Sequence, residues 1–509
     1  MDTTTAQESL WLLDARRQHP LAADTAVDVA VVGAGVVGVT TALLLKQAGL
    51  RVALVEADRV GSGASGNNTA KVTALQATVY SEIRKAHDAD AAADYAAASL
   101  AGVARVAALA GGVDCDLRRM PAYTYAQTRD EVAAVDQEAD AASDAGLPVA
   151  RDRGELLGVP FEVYHAVRLD DQLALHPVKY LRALAQQVDG DGSHVFEGSR
   201  VTGIESGDPC QVHTGSGTVV ADRVVVATHF PLLDRAAYFA RLETTRAYCV
   251  AARLRSGAPP TGLGISAGSP SWSLATHGDL LIVSGQSHST GSPEGEPYRV
   301  LADFAREHWD VAAFTHRWSA QDVVAFDKLP MVGTYAPGSD RLHVATGFRK
   351  WGLSGGTFAA LALTGALTGS PQPWADRFSP HRLSLRSAPT LLRKNAEVVV
   401  DLVGDRLKPG EAASPDDVPR GSGRLVRQGL GKVGVFRDDD GALHAVSARC
   451  THLGCLVRFN DAERSWDCPC HGSRFGVDGE VLEGPASTPL PTRDLGGSGS
   501  ADSPAPSGG

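Results

Sequence analysis

Four side chains near the end of the chain combine the residue types and the spacing of metal ligands. Cys450 and His452 lie in CTHLGC, and Cys468 and His471 lie in CPCHGS. Two thiolates and two imidazoles could hold one tetrahedral zinc ion. They could also hold two irons bridged by two sulfides, with the cysteines on one iron and the histidines on the other. Because the C-x-H spacing is atypical of a zinc-finger half, the iron–sulfur cluster is favoured and zinc remains the alternative.

The other cysteines are distributed unevenly. Cys115, Cys210 and Cys249 are scattered, whereas four of the seven cysteines lie between residues 450 and 470. Outside secreted proteins, such a local concentration is more typical of metal binding or redox chemistry than of a general disulfide framework. We predict that the three scattered cysteines are small buried side chains.

The beginning of the chain has the pattern of a nucleotide-binding strand, turn and helix. VDVAVV predicts a strand, GAGVVG a glycine turn, VTTALLLKQAGL a helix and RVALVEA a second strand. Gly33 would allow the tight turn, Gly35 the approach of a diphosphate, and Gly38 the packing of helix on strand. Glu56, at the end of the second strand, would accept hydrogen bonds from ribose hydroxyls. The pattern predicts a dinucleotide and does not choose between NAD and FAD.

The chain from about residue 25 to 370 resembles FAD-dependent oxidoreductases of the D-amino-acid-oxidase type, which include glycine and sarcosine oxidases. The resemblance rests on DVAVVGAGVVGVTTALLLKQAGLRVALVEADRVGSGASGNNTAKVT and on the later blocks LHPVKYLRALA, ADRVVVATHFP and KLPMVG…LHVATGFRKWGLSGG. It implies FAD as cofactor and hydride removal from a carbon next to an amine. The cofactor-binding positions that it implies are Gly33, Gly35, Val36, Val37, Gly38, Glu56, Ala57, Ser62, Ser65, Asn68, Thr69, Ala70, Lys71, Val72, Thr228, Gly347, Phe348, Trp351, Gly352 and Leu353.

The same resemblance implies a second domain whose antiparallel sheet covers the flavin. Candidates for the substrate side, chosen by position alone, are His229, Arg241, Arg246, Tyr248 and Lys350. This chemistry depends on placing the substrate beside the cofactor more than on an acid or base, so no catalytic base is assigned.

The chain from about residue 424 to 494 resembles Rieske proteins of the cytochrome bc type, through CTHLGC, CPCHGS and GPASTPLP. The resemblance implies a [2Fe–2S] cluster whose ligand histidines expose their Nε2 edges at the tip of the domain. The ligands that it implies are Cys450, His452, Cys468 and His471. It also implies a disulfide between Cys455 and Cys470.

One residue departs from the Rieske pattern. In bc-type sequences, a serine and a tyrosine after the second histidine donate hydrogen bonds to cluster sulfur. Ser473 is present, but Phe475 occupies the tyrosine position. Because one donor is missing, we predict a reduction potential below that of the quinol-oxidising members.

The two resemblances together predict an α/β + β chain. It would have a Rossmann-like FAD-binding domain with an antiparallel-sheet substrate domain, followed by a small all-β Rieske domain. The linker and tail follow from the composition of KPGEAASPDDVPRGSG and GGSGSADSPAPSGG. The predicted boundaries are 25–100, 188–235 and 325–372 for the FAD-binding domain, 101–187 and 236–324 for the substrate domain, 373–423 for the linker, 424–494 for the Rieske domain and 495–509 for a disordered tail.

Charge and terminal sequence restrict the class of protein. The formal net charge of −11 argues against a nucleic-acid partner, which requires a basic face. The N-terminus, MDTTTAQESLWLLDARRQHP, lacks a basic region followed by an apolar one, so no secretory signal is expected. The apolar stretch 27–50 fits a buried strand and helix better than a membrane span. We therefore expect a cytoplasmic protein without a membrane span.

The combination of cofactors indicates the type of reaction. A flavin accepts two electrons as a hydride, whereas a Rieske cluster accepts one electron at a time. This favours a dehydrogenase that oxidises a small amine or imino compound and passes electrons to an external acceptor. One alternative is an electron-transfer protein serving a partner enzyme, and another is a biosynthetic oxidase acting on a larger secondary metabolite. The expected partners are a small-molecule substrate of the amine class and an external electron acceptor or donor protein.

Overall fold

The computed structural model describes residues 5–12, 19–233, 235–292, 295–382, 410–429 and 431–495 of the chain. The helices of this described part are α1 (Val36–Gln47), α2 (Val79–Ala86), α3 (Ala89–Ala110), α4 (Val132–Asp144), α5 (Pro177–Val188), α6 (Pro297–His308) and α7 (Gly352–Thr368). Its strands are β1 (Thr25–Val32), β2 (Val52–Val55), β3 (Lys71–Val72), β4 (Arg118–Ala126), β5 (Ala150–Asp152), β6 (His165–Ala174), β7 (His194–Phe196), β8 (Val201–Glu205), β9 (Cys210–Thr214), β10 (Thr218–Val226), β11 (Leu242–Leu254), β12 (Leu263–Ser266), β13 (Ser273–His277), β14 (Leu280–Ser289), β15 (Val311–Ala325), β16 (Met331–Thr334), β17 (Leu342–Thr346), β18 (Ser422–Gln428), β19 (Gly431–Arg437), β20 (Leu443–Ser447), β21 (Arg458–Asn460), β22 (Ser465–Asp467), β23 (Arg474–Phe475) and β24 (Val481–Glu483).

The first sheet carries the nucleotide-binding pattern. Its main path runs β16-β17-β10-β1-β2-β7. Strand β9 pairs with β10, and β8 pairs with β9. Strand β1 lies between β10 and β2 and is parallel to both. Helix α1 is buried from Val36 to Leu45 because its sequence is apolar on all faces, and it packs beside α5 and α7. This arrangement places the glycine turn at the carboxyl end of the central strand, where open α/β sheets bind ligands.

The second sheet is the predicted antiparallel one. Its path runs β15-β11-β14-β13-β12-β4-β6-β3, and β5 pairs with β6. All of its pairs are antiparallel except that between β4 and β12. Strand β3 contributes Lys71 and Val72 to this sheet, although the sequence boundaries group residues 25–100 with the FAD-binding domain.

The C-terminal part is all-β, as predicted. Strands β18, β19 and β20 form one antiparallel sheet, and β21 to β24 form another. Phe436, Phe459, Trp466 and Phe475 are buried in one core together with the cysteines. Residues 383–409 of the predicted linker and 496–509 of the predicted tail lie outside the described residues.

One helix in the described part of the chain, α3, is long and apolar enough by length and composition to cross a membrane. It packs against α7 so closely that a Cβ on Gly102 would lie 2.4 Å from the carbonyl oxygen of Ser354. Tyr95, Val103 and Val106 of the same helix are buried in the core. These contacts are those of a core helix.

Candidate functional site

The glycine turn after β1 leaves no room for side chains. Gly33 has φ +101°, and a Cβ there would lie 2.6 Å from the carbonyl oxygen of Ala227. A Cβ on Gly38 would lie 1.7 Å from the carbonyl oxygen of Gly33, so only glycine lets α1 approach the turn. Gly35 precedes the first residue of α1 and lines a cavity. The turn therefore offers backbone at a helix N-terminus, which suits a diphosphate.

Glu56 lies beside this turn. Its two carboxylate oxygens accept hydrogen bonds from the N–H groups of Ala34, at 2.7 Å, and Asp58, at 2.9 Å. Each oxygen keeps a second lone pair, and the side chain borders the cavity. Burial raises the pKa of Glu56, and the two N–H donors oppose this rise. The position suits the predicted ribose contact.

The polar segment after β2 also borders the cavity. Ser65 Oγ accepts a hydrogen bond from Val36 N–H at 3.1 Å and so holds the start of α1. The side chain of Asn68 bonds to the carbonyl of Ser65 and to the amide of Ala70. Lys71 differs from these residues, because its Nζ donates to the substrate-domain sheet, to Gly264 O at 2.6 Å and to a serine hydroxyl. Its amino group is therefore held by the substrate-domain sheet.

A second loop, residues 347–351, and the first residues of α7 reach the same cavity. Arg349 and Lys350 have φ of +52° and +72°, and His229, which also lines the cavity, has φ +67°. Positive φ is strained for such residues and concentrates at functional sites. The side chain of Lys350 donates to Ser287, and burial lowers the pKa of Lys350.

These elements enclose one cavity of about 1200 Å³. Pockets for drug-sized ligands are typically about 300–1,000 Å³, so a dinucleotide and a small substrate can share this space. Of the predicted cofactor positions, Gly38, Ala70, Val72 and Gly347 do not line the cavity. The positions that line it are Gly33, Gly35, Val36, Val37, Glu56, Ala57, Ser62, Ser65, Asn68, Thr69, Lys71, Thr228, Phe348, Trp351, Gly352 and Leu353. The tight glycine turn, the acidic side chain and the large volume fit FAD.

The substrate-side candidates fall into two groups. His229, Arg246 and Lys350 line the cavity. Arg241 does not line it, because its guanidinium donates to Pro380 O and packs over Tyr238. Tyr248 is buried outside the cavity wall. Its hydroxyl lies 2.9 Å from Nε2 of His288 and accepts a hydrogen bond from an asparagine of the C-terminal domain.

Arg246 is held in a buried charge network. It lies 3.5 Å from Glu463 and 3.4 Å from Glu483, both in the C-terminal domain, and Ser319 Oγ accepts from its Nε at 2.8 Å. Glu483 also accepts from Arg474 at 2.7 Å. The two glutamates neutralise much of the positive charge that Arg246 would otherwise present to a substrate.

Sequence reasoning missed several cavity residues. Glu463 and Glu483 line the cavity, as does Asp322, whose Oδ1 accepts from Lys350 N–H at 2.7 Å. The available signal for Asp322 was an acidic residue inside the apolar strand pattern SAQDVVAF, which conflicts with a plain core strand. The two glutamates gave no signal, because only tertiary folding brings them to the cavity.

The cysteine–histidine loops converge at one end of the C-terminal domain. Cys450 and Cys468 are buried thiols, and the Cys468 thiol donates to Cys450 Sγ, which lowers the pKa of Cys450 to about 7. The rings of His452 and His471 meet edge to face with centroids 5.0 Å apart. Two thiols in mutual contact and two adjacent imidazoles fit the donor set of a [2Fe–2S] cluster.

The structure forms the expected disulfide between Cys455 and Cys470. The Sγ atoms of Cys455, Cys468 and Cys470 lie within 4.8 Å of one another, but the disulfide occupies two of them. This trio is therefore a disulfide beside Cys468, one of the predicted ligands, and not a separate three-cysteine metal site.

The environment of the sulfur ligands contains one hydroxyl and one phenyl group. Ser473 Oγ hydrogen-bonds to Cys450 and accepts from Ala486 N–H at 3.0 Å. Phe475 is fully buried in the same core and offers no donor. The predicted lower potential stays a prediction.

The expectation that both ligand histidines expose their edges is wrong for His471. This side chain is 3% exposed and packs against Phe230 and Phe239, with ring centroids 6.3 and 5.6 Å away. A Cβ on the adjacent Gly472 would lie 2.7 Å from Nε2 of Gln321. The loop is buried because it docks on the preceding part of the same chain, at Phe230, Phe239 and Gln321.

Comparison with known proteins supports these two sites separately. Residues 28–366 match the family described as FAD dependent oxidoreductase (DAO), and residues 409–494 match the Rieske [2Fe-2S] domain. The Rieske match begins inside the segment predicted to be linker. A match to a [2Fe–2S] domain decides against the zinc alternative for the cysteine–histidine site.

One relative resembles the chain over nearly its whole length. The Bacillus subtilis (strain 168) protein YhfW, which is named as a Rieske 2Fe-2S iron–sulfur protein, is 34% identical over 483 residues, covering 93% of this chain and 94% of that protein. The cytochrome b6-f complex iron–sulfur subunit of Chlorobaculum thiosulfatiphilum is 44% identical over 86 residues, covering 17% of this chain and 45% of that protein.

Two solved structures share the fold of the larger part. Glycine oxidase from Geobacillus kaustophilus has TM-score 0.59 at 19% identity and covers 70% of this chain and 99% of its own. L-proline dehydrogenase from P. horikoshii has TM-score 0.61 at 16% identity and covers 70% of this chain and 98% of its own. At these identities the likeness concerns the fold.

Proposed function

This chain belongs to the DAO family of FAD-dependent oxidoreductases and carries a C-terminal Rieske [2Fe–2S] domain, and from that premise we propose that it oxidises a small amine or imino compound and passes the electrons singly to an external acceptor. When bound, FAD supplies hydride acceptance and the cluster supplies one-electron transfer. The residues of the chain bind these groups, orient the substrate and exclude water from the space between them.

The observation that carries the proposal is the shared cavity. Its wall includes Gly33 and Glu56 from the nucleotide fold, Ser287 from the antiparallel sheet, and residues 482–487 from the Rieske domain. A cavity bordered by all three parts supports oxidation and electron transfer within one chain. It also explains why the Rieske domain would be fused to this enzyme.

The docking of the histidine loop supports the same route. His471 packs against Phe230 and Phe239, which precede β11 of the antiparallel sheet in the chain, and Gly472 is too close to Thr244 and Gln321 of that sheet to accept a side chain. The aromatic rings exclude water around one ligand histidine. This ligand therefore faces the inside of the protein, and His452, which is partly exposed, faces an external acceptor.

The charges of the cavity favour a small polar substrate. Arg246 is neutralised by Glu463 and Glu483 and is a poor anchor for a substrate carboxylate. Lys71 and Lys350 also line the cavity and bond to hydroxyl or carbonyl groups, but burial lowers the pKa of both, that of Lys71 to about 7, so neither presents a strong fixed positive charge. Serine hydroxyls on β13 and β14 add hydrogen-bonding groups beside them.

Relatives with the same fold support an amine as substrate. The names of the glycine oxidase and the L-proline dehydrogenase indicate amine oxidation. An external acceptor is favoured over oxygen because a domain that transfers single electrons is built into the cavity wall. We extend the proposal to a cytoplasmic location, which fractionation of cells with an antibody to the chain would test.

The test is anaerobic reduction of the holoprotein. Glycine, sarcosine, L-proline, pyrrolidine and NAD(P)H are each added while the flavin absorbance and the cluster EPR signal are recorded. We expect one of the amines to bleach the flavin and the reduced-cluster signal to follow. Bleaching by NAD(P)H or a carrier protein alone would instead identify an electron-transfer protein.

A matched variant separates the two cofactors. Replacing Cys450 by serine removes one cluster ligand and leaves the FAD cavity unchanged, since Cys450 does not line it. The C450S protein should still be bleached by the amine but should show no Rieske EPR signal. Bleaching of neither protein by any simple amine would contradict the proposed substrate class and favour a larger substrate.

A further inference from the structure

Asp322 has an unexplained position in the cavity wall. Its side chain is 7% exposed, and Oδ1 accepts from Lys350 N–H at 2.7 Å. Oδ2 is buried and has no hydrogen-bond partner within the described part of the chain. A buried carboxylate oxygen without a partner is unfavourable, because it has lost water and gained nothing in return. Such an atom, in a residue that lines the cavity, indicates a missing donor.

The surroundings of Asp322 are constrained on two sides. Its Oδ1 holds the amide of Lys350, in the loop where Arg349 and Lys350 have positive φ. His229, also at positive φ, lies close enough to influence the carboxylate electrostatically. Backbone strain persists only where the surrounding structure enforces it. Here the three strained residues are His229, Arg349 and Lys350, all near the carboxylate of Asp322.

Three other polar side chains of this region, His229, Lys350 and Lys71, already have acceptors. Nε2 of His229 bonds to Gln321 O at 3.0 Å, and Nζ of Lys350 donates to Ser287. Nζ of Lys71 donates to Gly264 O at 2.6 Å. Asp322 Oδ2 is therefore the one acceptor of this group that still requires a donor.

We propose that Asp322 is a catalytic residue that binds an N–H group of the protonated substrate amine through Oδ2 and accepts its proton. The inference rests on the proposed function and names the group that recognises the amine. In the proton transfer the N–H bond breaks, an O–H bond forms on Oδ2, and the electron pair stays on nitrogen. The neutral amine then has the lone pair that removal of hydride from the adjacent carbon requires.

The charge state of Asp322 depends on the groups that face it. Burial raises the pKa of Asp322, whereas His229, Lys350 and backbone N–H groups lower it. Tyr95 also interacts electrostatically with Asp322. Because the carboxylate must be ionised to accept a proton, flavin bleaching should accelerate as the pH rises through the raised pKa of Asp322.

Pairs of amines and their oxygen analogues test the recognition directly. The probes are sarcosine and methoxyacetate, L-proline and tetrahydrofuran-2-carboxylate, and pyrrolidine and tetrahydrofuran. Affinities come from flavin spectral perturbation for the analogues and from the concentration dependence of bleaching for the amines. In the wild-type holoprotein, we expect the amine that bleaches the flavin to bind about ten- to a hundredfold tighter than its analogue.

The Asp322→Asn variant removes the acceptor and keeps the shape. We expect its amine preference to fall to about twofold or less, because the amide Nδ2 at the Oδ2 position donates to the oxygen analogue and no longer accepts from the amine. We also expect the acidic limb of its bleaching rate to disappear. Asp279→Asn, at an exposed pair with Arg253, is the matched control and should behave as wild type. His229→Asn should retain the acidic limb, which assigns that limb to Asp322.

Each outcome bears on the proposal. If D322N binds FAD and keeps both the amine preference and the acidic limb, Asp322 is not the amine-binding group. If D322N does not hold FAD, the wild-type pairs still decide, because equal binding of amine and oxygen analogue overturns the proposal. If no amine bleaches the wild-type flavin, both the proposed function and the inference fail. If amines bleach the wild-type flavin and D322N behaves as wild type, only the inference fails.

Discussion

Replacing Glu483 by glutamine tests the ionic contact between the two parts of the chain. Glu483 Oε1 lies 3.4 Å from Arg246 Nη1 and 2.7 Å from Arg474 Nη1. Burial alone would raise the pKa of Glu483, but the two guanidinium groups lower it to about 2, from an ordinary value of 4.5. This lowering of the pKa corresponds to at most about 3 kcal/mol of stabilisation of the folded state. The value is an upper limit, because 31% of the Glu483 side chain is exposed and water screens the ion pair.

The sign follows from the lowered pKa. The stabilisation is fully present above pH 4.5 and is lost as the pH falls towards about 2. Between about pH 5 and pH 8 the loss caused by E483Q should therefore be independent of pH. A loss of about 3 kcal/mol in local opening corresponds to roughly hundredfold faster hydrogen exchange. Exchange mass spectrometry of the holoprotein, on peptides covering residues 458–487, measures it.

A matched variant isolates the buried contact. Glu296 pairs with Arg299 on the surface and is 65% exposed. E296Q should therefore change the free energy of local opening, measured by hydrogen exchange, by less than about 1 kcal/mol. An exchange rate in E483Q within about twofold of wild type would refute the assignment of a strong interdomain ion pair. If the free energy lost in E483Q changed with pH between about pH 5 and pH 8, the lowered pKa of Glu483 would be refuted.

Three other changes give distinct expected results. Gly33→Ala should yield protein with little bound FAD, since its Cβ would meet the carbonyl of Ala227 at 2.6 Å; flavin absorbance relative to protein measures this, and full occupancy would contradict the close approach. Phe475→Tyr should raise the cluster potential by restoring a hydrogen-bond donor, and an unchanged midpoint in a redox titration would show that the phenyl position does not tune it. Cys455→Ser removes the disulfide to Cys470, which closes a loop of sequence separation 15, so it should lower the free energy of unfolding by about 3 kcal/mol. Samples heated to increasing temperatures and then frozen should lose their cluster EPR signal at a lower heating temperature than wild type.

The sequence determined most of the local chemistry. The spacing of Gly33, Gly35 and Gly38 between two apolar runs fixes a turn that no larger residue could form, and the structure contains that turn. Cys450 and His452 lie within three residues of each other, so their proximity needs no tertiary information. Fold class and both cofactors followed from such local patterns, because family motifs encode backbone shape and ligand type.

Only the tertiary structure decided how the two parts meet. The burial of His471 against Phe230 and Phe239 depends on a contact between segments more than 230 residues apart, for which the sequence has no local signal. The same holds for Arg246, which looks like a substrate anchor in sequence and is neutralised by Glu463 and Glu483 in the fold. Local spacing specifies which groups a segment can offer, whereas packing between distant segments decides which charges remain available to a ligand.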